Sequence, residues 1–218
     1  VQLRKKLAES FGKDGDLILT IAMSKLLHQT SLKNMHHVLE DSFLPEIYSL
    51  KESFSSQWLS EFLVRLSSKD AAMTSFYNSM IAGEDETLIF DITSFSSASK
   101  NIDWLEWGYN RDGLDLPQVN LGLVLSLHRH LPLYFKLFPG SINDVVTLKN
   151  LVAEIKSFGI TKSLFVLDRG FYSENNIKEL SNENIDFILP LPFSVNLGKG
   201  LISETNKDIE NPANAKRF

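Results

Sequence analysis

The chain has 218 residues, 43% of them hydrophobic and 22% charged, with a formal net charge of −5; this suits one large globular domain or two small ones. It has no Cys, which excludes a disulfide framework and thiolate chemistry and suits a reducing cytoplasm. No apolar run approaches the roughly 18 residues of a membrane-spanning helix, and the basic start Val1-Gln-Leu-Arg-Lys-Lys6 lacks the apolar core of a signal peptide.

The opening residue is Val1 and the closing stretch, Asn211 to Phe218, completes no element, so a fragment of a longer protein is expected. Charge is uneven. Residues 1–80 balance nine Lys/Arg against nine Asp/Glu, whereas 81–160 hold six against ten. A nucleic-acid binder usually shows a basic stripe, and none is visible. The acid excess fits a cation-binding centre in the middle of the chain.

Residues 1–80 read as helical. Gly15-Asp16 precedes the apolar run Leu17 to Leu27, which prefers helix. Leu32, Met35, His36 and Leu39 recur at helical spacing. Trp58, Leu59, Phe62, Leu63 and Leu66 form the stripe of an amphipathic helix after Ser55-Ser56. Asp70 starts a fourth helix with Met73, Phe76, Tyr77 and Met80. Short helices joined by turns could read DNA, but no helix face is basic and plain packing is the favoured reading. His36-His37 lacks a third ligand. Ala82 to Glu86 is a polar linker and a domain boundary, giving a helical N-terminal domain at 1–82 and a second domain at 83–218.

The second domain opens on Leu88-Ile-Phe-Asp91-Ile-Thr-Ser-Phe95, a buried strand ending in an acid. Burying a lone carboxylate is costly, so Asp91 is either an edge residue in water or part of a site. Residues 96–117 form a long polar excursion. Its Trp104 and Trp107 could stack on nucleobases, though anchoring of the loop is the commoner use of such a pair. Gln118 to Leu127 and Leu131 to Phe138 read as a β-hairpin, with His128 and His130 exposed at its turn. After the turn Pro139 to Asn143 comes a helix opened by Asp144, with Leu148, Leu151, Val152 and Ile155 inward and Asn143 or Asp144 as its cap. Gly159 is expected to end it.

Ser163-Leu-Phe-Val-Leu-Asp168 repeats the design of the first strand: apolar residues, then an acid. Gly170 turns the chain and Ser173 caps a helix through Leu180. Ile185 to Pro190 is a fifth strand, and a polar tail follows Pro192. If the two acid-ended strands are neighbours, Asp91 and Asp168 repel each other and need a cation between them. Oxygen ligands favour Mg²⁺ or Mn²⁺. Strand, hairpin, helix, strand, helix, strand makes a mixed α/β sheet of five strands with flanking helices. This is the ribonuclease-H-like order, in which the first and fourth strands lie side by side.

Four motifs then carry a resemblance: Phe90-Asp91-Ile-Thr-Ser, Gly108-Tyr-Asn-Arg-Asp-Gly-Leu-Asp-Leu-Pro-Gln118, Phe138-Pro-Gly-Ser-Ile-Asn-Asp144 and Leu167-Asp168-Arg-Gly-Phe171. In order and spacing they resemble the DDE transposases of bacterial insertion sequences over about 85 to 195. Over 1–80 only the helical character matches. The resemblance implies metal-dependent DNA strand cleavage and transfer at insertion-sequence ends. Asp91 and Asp168 match the first two catalytic acids. They would bind two Mg²⁺ (or Mn²⁺) about 3.5–4 Å apart that activate a water or 3′-hydroxyl for in-line attack. Asp144, Arg111, Gln118 and Arg169 match family positions as supporting residues. DNA as partner (transposon ends and target), a homodimer in the active complex, no membrane and a bacterial, nucleoid-associated location in the cytoplasm are implied likewise.

The chain departs from the family at the third acid, a Glu in a pattern Tyr-x2-Arg-x3-Glu-x6-Lys. None of Tyr48, Tyr77, Tyr109, Tyr134 or Tyr172 is followed by Arg at that spacing, and Glu204 and Glu210 sit in the polar tail without helical pattern. The catalytic domain is therefore expected to be incomplete at its C-terminus. Two further readings remain: another ribonuclease-H-like nuclease that completes its site with Asp144 or a local Glu, and an inactive remnant that only binds DNA or a partner.

Overall fold

The computed structural model describes residues 2–81, 86–108, 113–142, 144–158 and 163–205. The chain folds as two compact units, Val1–Ala82 and Gly83–Phe218. The linker expected at 82–86 falls largely outside the described residues.

The first unit contains α1 (Gln2–Phe11), α2 (Asp14–His28), α3 (Met35–Glu40), α4 (Leu44–Ile47), α5 (Ser56–Ser67) and α6 (Asp70–Ile81). Its core gathers Leu17 and Ile21 of α2, Met35 and Leu39 of α3, and Leu59 and Phe62 of α5 around Phe54. Ser55 caps α5 by accepting from the Trp58 amide at 3.2 Å, which satisfies one of the donors a helix start leaves unpaired. The buried Asp14 carboxylate meets Lys69 Nζ at 2.7 Å and Arg65 at 3.6 Å, tying the start of α2 to the far end of α5.

The second unit is built on one five-stranded sheet of order β3-β2-β1-β4-β5. The strands are β1 (Glu86–Ser96), β2 (Gln118–Ser126), β3 (Leu131–Pro139), β4 (Ser163–Leu167) and β5 (Asp186–Ile188), and the helices are α7 (Asp144–Ser157), α8 (Glu174–Asn182) and α9 (Asn196–Thr205). β1 runs antiparallel to β2 and parallel to β4. This mixed sheet with flanking helices is ribonuclease-H-like. Side chains alternate across the sheet. Leu88, Phe90 and Ile92 of β1 are buried on one face. That face carries α7, whose Glu154 accepts hydrogen bonds from Tyr134 and Lys136 of β3. Leu148, Leu151, Val152 and Ile155 of α7 are all buried. The opposite face holds Ile89, Asp91, Thr93 and Phe95, and there Phe95, Phe135 and Leu137 are 41–56% exposed.

Two expectations are corrected. The fifth strand is Asp186–Ile188, shorter than Ile185 to Pro190, since proline lacks the donor a ladder needs. Glu204 lies in α9 and not in an unstructured tail; the two glycines inside α9 mask its pattern. α1 had no counterpart in the sequence reading, because Leu3, Leu7 and Phe11 make a thin stripe among charged residues. Gly159, the expected end of α7, lies outside the described residues, and the helix runs to Ser157.

Candidate active site

The β1–β4 ladder ends at Phe90↔Leu167. Asp91 is the next residue on one strand and Asp168 the next on the other. Parallel neighbours lie about 4.7–4.9 Å apart, so the two aspartates leave the ladder side by side at about that spacing. Both are exposed. The local chain explains the arrangement. Beyond Leu167 the backbone turns into a short 3-10 helix, Arg169–Phe171, and Phe171 is buried. The Phe171 ring packs on Phe90 with centroids 4.9 Å apart. One aromatic contact therefore ties the residue before Asp91 to the turn that follows Asp168.

Each carboxylate uses one oxygen close to home. Asp91 Oδ1 accepts from the Ile92 amide at 2.8 Å, and Asp168 Oδ1 accepts from the Arg169 amide at 2.6 Å. These bonds orient the carboxylates, and no other hydrogen bond to either is made by a described residue. Two exposed carboxylates with free oxygens form a hard, all-oxygen donor set, which suits Mg²⁺ or Mn²⁺. Among the described residues no group of three His, Asp or Glu side chains that could hold a metal ion comes together.

The other residues singled out by sequence are placed differently. Arg111 and the side chain of Asp144 lie outside the described residues; the backbone at Asp144 opens α7. Arg169 is exposed next to Asp168. Gln118 is 1% exposed, on the face opposite Asp91, and its amide donates to Asn120 Oδ1 at 3.1 Å and to the Gly140 carbonyl at 3.3 Å. It belongs to a packed network and is not brought to the aspartates. Trp104 and Trp107 are 49% and 65% exposed. The excursion is held by backbone as well, since the Trp104 carbonyl accepts from the Gly140 amide at 3.3 Å. His128 and His130 lie at the hairpin turn, clear of the aspartates' end of β1. The His36 and His37 rings lie against each other, 3.8 Å between centroids.

The family model described as "Transposase DDE domain" matches residues 82–217. The chain belongs to the DDE transposase-domain family. No curated protein matches it. Among solved structures it is similar to a chain in the cryo-EM structure of the piggyBac transposase synaptic complex with hairpin DNA. That likeness has 11% identity and a TM-score of 0.48 and covers 90% of this chain and 44% of that one. This transposase-family chain thus spans less than half the length of the solved chain. No helix among its described residues is long and apolar enough to cross a membrane.

Proposed function

We propose that this protein cuts and joins DNA strands at the ends of a bacterial insertion sequence, with Asp91 and Asp168 as its catalytic, ion-binding pair. The observation that carries the reading is the shared level of the two acids at the end of the β1–β4 ladder. Asp91 and Asp168 would hold Mg²⁺ or Mn²⁺, with two ions in the complete site. Bound there, the cation offsets the charge that builds on the phosphodiester as it is attacked. The chain's own part is to fix the two carboxylates: the Ile92 and Arg169 amides orient them, and the Phe90–Phe171 contact holds the strand ends together. Asp144, Arg111 and Arg169 act in support. DNA ends and target DNA are the partners, and two copies act together. Residues 1–82 form a domain of their own that contributes no ligand to the site.

The test is cleavage of supercoiled plasmid and of transposon-end DNA with Mg²⁺ and with Mn²⁺, comparing the full-length protein with Asp91→Asn and Asp168→Asn. Each substitution keeps the shape and removes the charge. Ionic stabilisation worth several kcal/mol, at about 1.36 kcal/mol per factor of ten, gives losses of roughly a thousandfold or more. Variants that cut at the unmutated rate would remove both aspartates from the chemistry. A protein that binds end DNA but cuts nothing would favour the inactive, DNA-binding alternative, a reading encouraged by the two-ligand count among the described residues.

A further inference from the structure

The excursion between β1 and β2 is a strap across the face that carries Asp91. Its base is closed where the Ser97 amide donates to the Pro117 carbonyl at 3.0 Å. Ile102, Trp104 and Leu105 line a groove with Phe95, Val119 and Leu137, three strand residues of that face. Beyond the groove the strap is fastened. Glu106 pairs with Gln118 through two backbone bonds of 3.1 and 2.9 Å, and the Glu106 carboxylate accepts from the Ser141 hydroxyl and amide.

Two buried side chains, Gln118 and Asn120, hold the fastening. Asn120 is 5% exposed. Its amide donates to the Gly140 carbonyl at 3.4 Å and the Ile142 carbonyl at 3.0 Å, while its Oδ1 accepts from Gln118 at 3.1 Å. The surrounding backbone is too close for side chains. A Cβ on Gly108 would fall 1.9 Å from the Gly140 carbonyl oxygen, and one on Gly140 would fall 2.1 Å from the Gln118 carbonyl oxygen. The turn at 140–142 therefore joins the strap, the start of β2 and the segment that leads into α7. A buried amide costs free energy unless its hydrogen bonds are made, and what it adds over an apolar residue is direction.

We propose that Asn120 is a positioning residue for the Asp91–Asp168 site: through the Gly140 and Ile142 carbonyls it sets the strap over Asp91's face and fixes where α7 begins. This rests on the function proposed above. DNA bound on that face meets the strap, so a displaced strap misaligns the scissile bond without abolishing binding.

The test compares Asn120→Ala and Ser141→Ala with the unsubstituted protein, all in a Trp58→Phe background. There Trp104 and Trp107, both on the strap, are the remaining tryptophans of the three. Ser141 is exposed, so its substitution loosens the fastening without opening the core and covers the case in which Asn120→Ala fails to fold. The expected result is kcat lowered by about ten- to a hundredfold, the order set by an ångström of misplacement. KM for DNA stays unchanged, as uniform binding is retained, and acrylamide quenching of the strap tryptophans rises. Unchanged kcat in both variants, with Asp91→Asn still inactive, overturns the positioning role and leaves the function standing. A fall in kcat with unaltered quenching, tracking only the loss of folded protein, overturns it too. An unsubstituted protein that cuts no DNA overturns the function and this role together.

Discussion

Replacing Asp91 by Asn is expected to raise the stability of the ion-free protein and to lower that of the Mg²⁺-loaded protein. The magnitude follows from the ladder. With the strand spacing of about 5 Å taken as the separation of the two carboxylates, and with both exposed, their repulsion is felt through water-like surroundings. Coulomb's law then gives about 0.8 kcal/mol, and losing one charge removes it. For a chain of this size that raises the melting temperature by about 2–3 °C. Saturating Mg²⁺ reverses the order. An ion at a hundred times its dissociation constant stabilises the native state by about 2.7 kcal/mol, and a chain with one ligand forfeits most of that. Melting curves with EDTA and with a Mg²⁺ series, for the unsubstituted protein and for Asp91→Asn, Asp168→Asn and the double variant, contain the whole test. The double variant should cut DNA no worse than either single one, because two ligands of one ion fail as a unit. Variants whose melting temperatures climb with Mg²⁺ as steeply as the unsubstituted protein's would refute the shared site, as would separate losses in cleavage that multiply.

The remaining expectations concern stability. Leu151→Ala empties a fully buried position on α7 and should cost about 2–5 kcal/mol, read as a lower urea midpoint. Lys69→Ala leaves the 3%-exposed Asp14 with only Arg65 at 3.6 Å; breaking a buried pair this way should cost roughly 3 kcal/mol, checked by the same melt. Arg4 bonds both oxygens of Asp16, at 2.7 and 3.0 Å, and this bond holds the Asp16 carboxyl below the usual aspartate range. A carboxyl lowered on folding contributes stability above its ordinary pKa and loses it as pH falls through the folded value. Arg4→Ala should therefore melt earlier at neutral pH, by a small, salt-sensitive margin, and converge with the unsubstituted protein in acid; a gap that persists in acid would count against the pair.

The sequence was most informative where one residue type meets one physical demand. An apolar run ending in an acid occurs twice, at Asp91 and Asp168, just where the β1–β4 ladder stops and both acids are exposed. The hairpin was legible because β2 alternates buried and half-buried along its length. Ser173 was legible as a cap because a hydroxyl at a helix start has one common use, and it accepts the Asn176 amide. The Asn120 fastening was not legible. Its partners are the carbonyls of Gly140 and Ile142, some 20 residues away, and a carbonyl has no letter of its own in a sequence. The buried bonds of Gln118, to the Asn120 side chain and the Gly140 carbonyl, were not legible for a related reason.

The unequal lengths of the two central strands give the aspartates their setting. β1 runs on from Asp91 to Ser96, but β4 stops at Leu167. Past the last pair, no described residue pairs with the β4 side of β1, and the first amide there, that of Ile92, turns to the Asp91 carboxylate. The acids therefore sit at the bottom of a notch cut into the sheet, open at the carboxyl ends of two parallel strands, where open α/β sheets place their ligands. On the other side of β1 the strap narrows the approach over Phe95. A phosphodiester entering that notch would meet two carboxylates and no described cation paired with either. Such an anionic substrate is repelled unless a metal ion comes with it. Under the function proposed above, a divalent cation held by the two aspartates would offset that repulsion. DNA affinity measured at the unsubstituted notch should rise with Ca²⁺, a cation that oxygen ligands also hold, and in Asp91→Asn it should respond less; affinity indifferent to Ca²⁺ in both would mean that the DNA passes elsewhere.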